Sequence, residues 1–506
     1  MIAVVGGSGA AACRATPPAA AHPVTVGSSR CSSKSHDCSR SGAVQQPLRR
    51  GHVLIAAAAQ PPNIDLDALL GELEAPEIDA DLATLQAEQG AVFDDAGVVV
   101  HYKNDSRAMH ALEHTAVVAD RSHWGRLRLS GEGRLAFLHG QSTADIQAPQ
   151  PGSGCDTVFV TAQARTIDLA TVLAQGSGLL VLVSPGMKQQ VAERLDKHIF
   201  PGDQVQLMDV SSKTSMFSVL GPQADAVMQQ MQAGGICGAP YGTHTLLSFR
   251  GKPVIVVSGG GLSGPGYTLI ADESVAADVW RALTSQEGVE PFGADCWEMA
   301  RVLAGRPKAG AELTEDYNPL EAGLYHACSV TKGCSIGQET INKVHNLSAV
   351  KQQLWGLEME APCTVGDTVE APDGTKLGKV TSYIDTPSGQ HRALAYLKCK
   401  VQGQQLDLEG LRVTVAGARG TVVAPPFLTR SFPEQQQATT AGAAAAGDAA
   451  GSGASAAGAA GPSEAELAAQ QAQQEKEAAE EQRRAEKLAA MQARLAAFQE
   501  QQQADA

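Results

Sequence analysis

Two compositional breaks, near residues 60 and 435, constrain this chain more than any single motif, because they confine the foldable sequence to the stretch between them. From Gln435 to Gly461 the chain is almost entirely Ala, Gly and Ser, which cannot bury enough apolar surface to offset its conformational entropy, so a disordered linker is expected over 426–462. Beyond it, Ser463 and Glu466 form a capping-box pattern before an Ala/Gln/Glu-rich stretch, predicting a charged helix over 463–506. Leu467, Leu488, Met491, Leu495 and Phe498 recur at helical intervals. That helix reads either as a docking or coiled-coil element or as a solvated helix with no specific role.

At the other end, Arg14, Arg30, Lys34, Arg40, Arg49 and Arg50 stand against a single acid, Asp37, within the first 60 residues. No apolar core of the length a secretory signal needs follows the N-terminus. Residues 1–60 therefore read as an organelle transit peptide, plastid first and mitochondrial as the alternative. This segment carries +5 of a chain total of −15, leaving −20 for the rest. Such an acidic body repels nucleic-acid phosphates and anionic membrane surfaces. No apolar run approaches the roughly 18 residues of a membrane helix. The expectation is a soluble monomer in the chloroplast stroma or, alternatively, the mitochondrial matrix, with no nucleic-acid or membrane partner.

With 506 residues, the chain exceeds what one hydrophobic core supports, so several units are expected. Residues 61–90 carry apolar positions at helical intervals and predict a helical lead-in. From 91 to 345, short strands and helices alternate without strict βαβ regularity, predicting an α+β architecture of two mixed subdomains with antiparallel sheets. Val158–Ile167 and Leu169–Leu173 are expected as separate strands, and Gly131–His139 as a helix. From 346 to 425, short strands separated by turns at Asp373-Gly374 and Pro387-Ser388-Gly389 predict a small β-barrel.

The seven cysteines beyond the presumed presequence are scattered, without C-x-x-C pairs, which argues against a disulfide framework and a standard zinc module. His326, Cys328 and Cys334 lie close in sequence without an evident fourth ligand, so no metal site is assigned. Cys334 stands out for another reason. It sits in Lys332-Gly333-Cys334-Ser335-Ile336-Gly337-Gln338-Glu339, a run too polar for a core strand. Gly333 and Gly337 permit backbone conformations closed to other residues, and an ammonium close to the thiol would favour its thiolate.

The same eight residues resemble the K-G-C-aromatic-x-G-Q-E signature of the YgfZ-type folate-binding proteins, which assist iron-sulfur cluster assembly or repair. Those proteins are relatives of the glycine-cleavage aminomethyltransferase, the T-protein. Ser335 departs from the signature, where an aromatic ring is usual. Gly293, Ala294, Asp295, Arg301 and Gly305, followed by Pro319, Glu321, Ala322 and Gly323, are similar to a second superfamily segment. Asp120-Arg121-Ser122-His123, Phe137-Leu138 and Leu220-Gly221-Pro222 resemble further elements, so the likeness spans about 93–423.

The resemblance implies a T-protein-like ring arrangement and a folate ligand, either tetrahydrofolate or a derivative, with a transient iron-sulfur cluster as a further cofactor. It implies Cys334 as the key thiol, Lys332 as its activator, and Gly333, Gly337, Gln338 and Glu339 as residues shaping the loop. Asp168 stands near the T-protein's acidic catalytic position, while Arg165, Tyr267, Arg301 and His123 are candidates for folate contacts. The T-protein's G-E-D-G-F-E loop stands here as Gly264-Pro265-Gly266-Tyr267-Thr268-Leu269. No carboxylate is left there to accept the pterin's paired N–H donors, so ordinary aminomethyl transfer is not expected. The implied function is a folate-dependent accessory role in cluster assembly or repair, with assembly factors or recipient apo-proteins as partners. A tetrahydrofolate-dependent aminomethyltransferase or demethylase, and a folate-responsive scaffold docking through the C-terminal helix, are the alternatives.

Overall fold

The computed structural model describes residues 80–432. The transit-peptide, linker and C-terminal-helix expectations, and most of the helical lead-in, lie outside the described residues. Of the lead-in, Ala80–Glu88 is helical and packs on the helix Ala276–Thr284.

Two antiparallel sheets form the body. A six-stranded sheet runs in the order His244–Phe249, Lys252–Ser258, Gly266–Asp272, Thr214–Leu220, Ala116–Asp120 and Val289–Phe292, with only the last pair parallel. A five-stranded sheet runs Ser153–Val160, Thr166–Ala174, Gly178–Val183, Gly125–Ser130 and Gln206–Asp209. The central strands Thr214–Leu220 and Gly266–Asp272 are buried at every position, as a strand covered on both faces must be.

Those faces have different partners. Phe217, Val219, Leu269 and Ala271 pack under Trp280 and its helix, whereas Met216, Ile255, Val257 and Ile270 pack against Leu173, Leu180 and Leu182 of the other sheet. The five-stranded sheet in turn buries Leu127, Leu129 and Val181 beneath the helices Arg134–Gln141 and Lys188–Asp196. The two sheets therefore face each other between outer helices. The chain crosses from one sheet to the other at Arg121–Trp124.

A closed six-stranded barrel follows, in the order Gln352–Met359, His391–Lys398, Lys376–Asp385, Thr368–Glu370, Arg412–Val415 and Ala418–Val423. Its interior is filled by Leu357, Val369, Leu377, Val380, Ala395, Leu397, Val413, Val415 and Val422. The α+β class and the barrel thus agree with the sequence reading.

Several local expectations are corrected. Val158–Ile167 is two strand ends and a turn, closed by bonds from Thr161 N to Arg165 O and from Ala164 N to Thr161 O. The strands Gly266–Asp272 and Ala418–Val423 were not anticipated; the first is buried at every position and so lacks a period-two alternation. The helix expected from Gly131 starts at Arg134, after Gly131 and Gly133 pass against the Asp203–Val205 backbone where no side chain would fit. Order also continues past 426. Phe427 N bonds to Ala304 O, Thr429 N bonds to Gly323 O, and Phe432 is fully buried against Tyr325.

Candidate functional site

The Lys332–Glu339 loop is held from three sides. Lys332 is buried, and its Nζ donates to the carbonyls of His139, Ser142 and Ala144 at 2.6, 2.7 and 2.8 Å. It thereby satisfies carbonyls at the C-terminal end of the helix Arg134–Gln141, where a positive charge is favoured. Burial pulls its pKa down to about 8, and the charges acting on it are Asp145, Cys328 and Cys155. With all three N–H donors committed, Lys332 anchors the loop and leaves no donor for the Cys334 thiol.

Gln338 closes the loop. Its Nε2 donates to Lys332 O and its Oε1 accepts from Ser335 N, both at 3.1 Å. Gly337 has φ 73°, and a Cβ there would sit 3.0 Å from Val160 Cγ2 and 3.1 Å from Ala164 Cα, so the position needs glycine for both conformation and space. Ile336 N bonds to Gly140 O. Cys334 is left exposed on the loop beside exposed Gly333. Glu339 is exposed in the first turn of the helix Gln338–Asn346, where an acid suits the dipole.

The other anticipated residues scatter. Arg301 has an acceptor for every N–H: Nε and Nη2 reach Glu298, Nη1 reaches Glu312 and Arg306 O, and Nη2 also reaches Ser382. It pins a helix to the barrel and has no donor left for a ligand. Arg165 is exposed on the turn and donates to Asp316 O at 2.9 Å. Tyr267 points into the core, its hydroxyl on Asp225 at 2.5 Å. Thr268 donates to Gly259 O at 2.8 Å inside the sheet. His123 is exposed in the crossing turn, and the protein packed around it lowers its pKa.

Asp168 is fully buried. Ser184 N donates to its Oδ2 at 2.9 Å, while Oδ1 has no partner. Burial raises its pKa to about 6, against the opposing influence of the Ser184 bond and of Arg306. His326, Cys328 and Cys334 do not converge, and no group of three or more His, Cys, Asp or Glu side chains among the described residues is placed to hold a metal.

What the fold does bring together was missed in the sequence reading. Asp156 and Thr171 are opposite each other in adjacent strands. Asp156 Oδ1 accepts from Thr171 Oγ1 at 2.6 Å and Tyr241 Oη at 2.7 Å, and Oδ2 faces His326 Nε2 at 3.8 Å. Tyr241 keeps 48% of its surface accessible, yet burial is the main influence pushing its pKa well above the usual phenol range.

Arg121 and Arg306 meet at the same place. Their guanidiniums lie 3.8 and 5.1 Å from the Trp124 ring centroid, with Arg121 also 4.6 Å from Trp297 and Arg306 5.6 Å from Phe427. Burial and then the charge of Arg306 hold Arg121 well below the usual guanidinium range. Burial likewise lowers Arg306, with Asp156 the largest opposing influence. Gly261 makes room for this approach, since a Cβ there would fall 2.4 Å from Arg121 Nη1. The sequence signal for both lies beside recognisable motifs: Arg121 occupies the free position of Asp-x-Ser-His, and Arg306 directly follows Arg301-x-x-x-Gly305.

Face-to-face sheets with a barrel on their flank make an aminomethyltransferase-like fold. The family model of the GCVT N-terminal domain matches residues 82–332. A protein of Arabidopsis thaliana that its name describes as a chloroplastic transferase is 40% identical over 370 residues, covering 72% of this chain and 84% of that one. The aminomethyltransferase of Shouchella clausii is 28% identical over 343 residues, covering 66% and 92%. The crystal structure of the glycine cleavage system aminomethyltransferase T from Bartonella henselae superposes with a TM-score of 0.60 at 20% identity, covering 69% and 97%, which establishes the shared fold. This chain belongs to the GCVT family.

Proposed function

We propose that this protein is a plastid folate-binding accessory factor in iron-sulfur cluster assembly or repair, with Cys334 as its working thiol, and that it is not an ordinary aminomethyltransferase. The observation carrying this reading is the pairing of an exposed cysteine on a rigid loop with the absence of the pterin-holding glutamate. Neither Thr268 nor Leu269 in that stretch offers a carboxylate, and Thr268 gives its hydroxyl to Gly259 O. Gln338 and Lys332 fix the loop backbone on either side of Cys334, which presents the thiol without burying it, as transient ligation or thiol chemistry requires.

The residues at the sheet crossing fit a folate by a different route. Asp156 Oδ2 has only His326 near it, so it is free to accept an N–H of a bound folate. Bound tetrahydrofolate would supply a one-carbon carrier. A plastid location is supported by the basic, acid-poor N-terminus and by the chloroplastic relative.

The test is complementation of a bacterial strain lacking its YgfZ-type protein, using the full chain with Cys334 intact or as Cys334→Ala and reading a cluster-dependent enzyme. Rescue by the intact chain alone supports the proposal. Equal rescue by both removes Cys334 from its centre, and no rescue by soluble protein sinks the cluster-maintenance reading in favour of one-carbon transfer.

A further inference from the structure

Buried guanidiniums are normally surrounded by acceptors, and Arg126 and Arg301 follow that rule. Arg126 donates Nε to Thr214 Oγ1, Nη1 to the carbonyls of Ser122 and Trp124, and Nη2 to those of Ser211 and Thr214. Arg121 and Arg306 do not follow it, although they are only 4% and 6% exposed. Arg121 uses Nη1 on Ser218 Oγ and Gly260 O, and its Nε has no acceptor. Arg306 has a single long contact, from Nη1 to Pro307 O at 3.5 Å, and its Nε too is unpartnered. Neither has a carboxylate within salt-bridge distance among the described residues.

Two like charges held on one indole, out of water and short of acceptors, are unfavourable unless something negative joins them. The Trp124 and Trp297 faces offset part of that cost but offer no lone pairs in the ring planes. A planar guanidinium fork matches a carboxylate in geometry and charge. From this we infer that Arg121 and Arg306 form an oxyanion subsite at the sheet crossing and that its ligand is a carboxylate. The carboxylate comes from the glutamate tail of a bound folate, in which case the inference rests on the folate reading, or from a separate small acid bound beside the pterin. Asp156, pinned by Tyr241 and Thr171 on one oxygen, keeps the neighbouring surface negative and so limits the subsite to ligands that reach the two arginines directly.

The experiment titrates the full chain calorimetrically with tetrahydrofolate, with tail-less 6-methyltetrahydropterin, and with acetate in the presence of the pterin, comparing wild type with Arg306→Met, Arg121→Met and the charge-keeping Arg306→Lys. If the folate tail is the source, wild type binds tetrahydrofolate at least about tenfold more tightly than the pterin, as charge-assisted bonds of this kind give. If a separate acid is the source, acetate binds the wild type. In either case both Met variants lose the increment while Arg306→Lys keeps part of it, a graded response that general unfolding would not produce. Failure of both pterins on wild type, with acetate still binding wild type and not Arg306→Met, overturns the folate reading and leaves the subsite standing. Carboxylate binding that is absent from wild type, or equal in wild type and in folded Met variants, overturns the subsite.

Discussion

The junction between the helix Ala294–Ala304 and the barrel, and the crossing between the two sheets, each bury arginine, and the contrast between them separates architecture from binding. At the junction, Arg301 meets Glu312, whose Oε1 also accepts from Thr381 and Ser382 and whose Oε2 accepts from Lys308 N. Every charge there has a fixed partner, so the network holds two units together and has no capacity left over. At the crossing, Arg121 and Arg306 are stacked but under-bonded. Equal burial therefore has opposite meanings, and the count of acceptors tells them apart.

The largest effect should come from Arg301→Ala. It strands the Glu312 carboxylate, which has no exposed surface, and should cost about 3–5 kcal/mol in chemical unfolding, the range for breaking one half of a buried pair. A cost below about 1 kcal/mol would show that the junction is not the anchor described.

Lys332→Met comes next, removing the donor to three carbonyls. Leaving buried acceptors without partners costs about 2–4 kcal/mol. The Cys334 loop should become cleavable by proteases in the native state, and unchanged protection would detach the loop from this anchor.

Asp168→Asn should shift stability less and reveal its sign through pH. Its folded-state pKa of about 6 lies above the roughly 3.9 of an unfolded aspartate. Between those values the folded state binds more protons, so this group makes stability fall as pH rises from about 4 to 6, with the full penalty present above 6. The Asn variant should gain up to about 2 kcal/mol at pH 8 and lose this slope in thermal unfolding measured across that window. Retention of the slope would assign it to other carboxylates.

Arg306→Met should move stability least, by under about 1 kcal/mol in either direction without ligand, because it removes a charge with no ionic partner. A loss comparable to that of Arg301→Ala would erase the contrast between the two regions.

Much of the fold was legible in local pattern. The barrel strands carry alternation, as over 380–385, where buried and more exposed positions take turns, and Asp373-Gly374 and Ser388-Gly389 mark their turns. Gly266–Asp272 was hidden because it is buried on both faces and so shows no period-two alternation. The conformational freedom of Gly337 was legible from its residue type, whereas the loop-shaping role of Gln338 came only through the family resemblance. The role of Lys332 was not, since its carbonyl partners lie about 190 positions away in sequence.

By itself, the sequence determined the α+β class, the terminal barrel, the acidic charge of the body and the placement of Cys334 in a polar glycine-flanked loop, because these depend on composition and on neighbours a few residues apart. Only the tertiary structure decided which charged groups are satisfied. Arg301 and Arg306 are five residues apart and alike in sequence context, yet one is enclosed by acceptors from Glu298, Glu312 and the barrel's Ser382 and the other lies on Trp124 beside Asp156. Solvation and pairing are properties of the surroundings assembled from distant segments, and no local pattern records them.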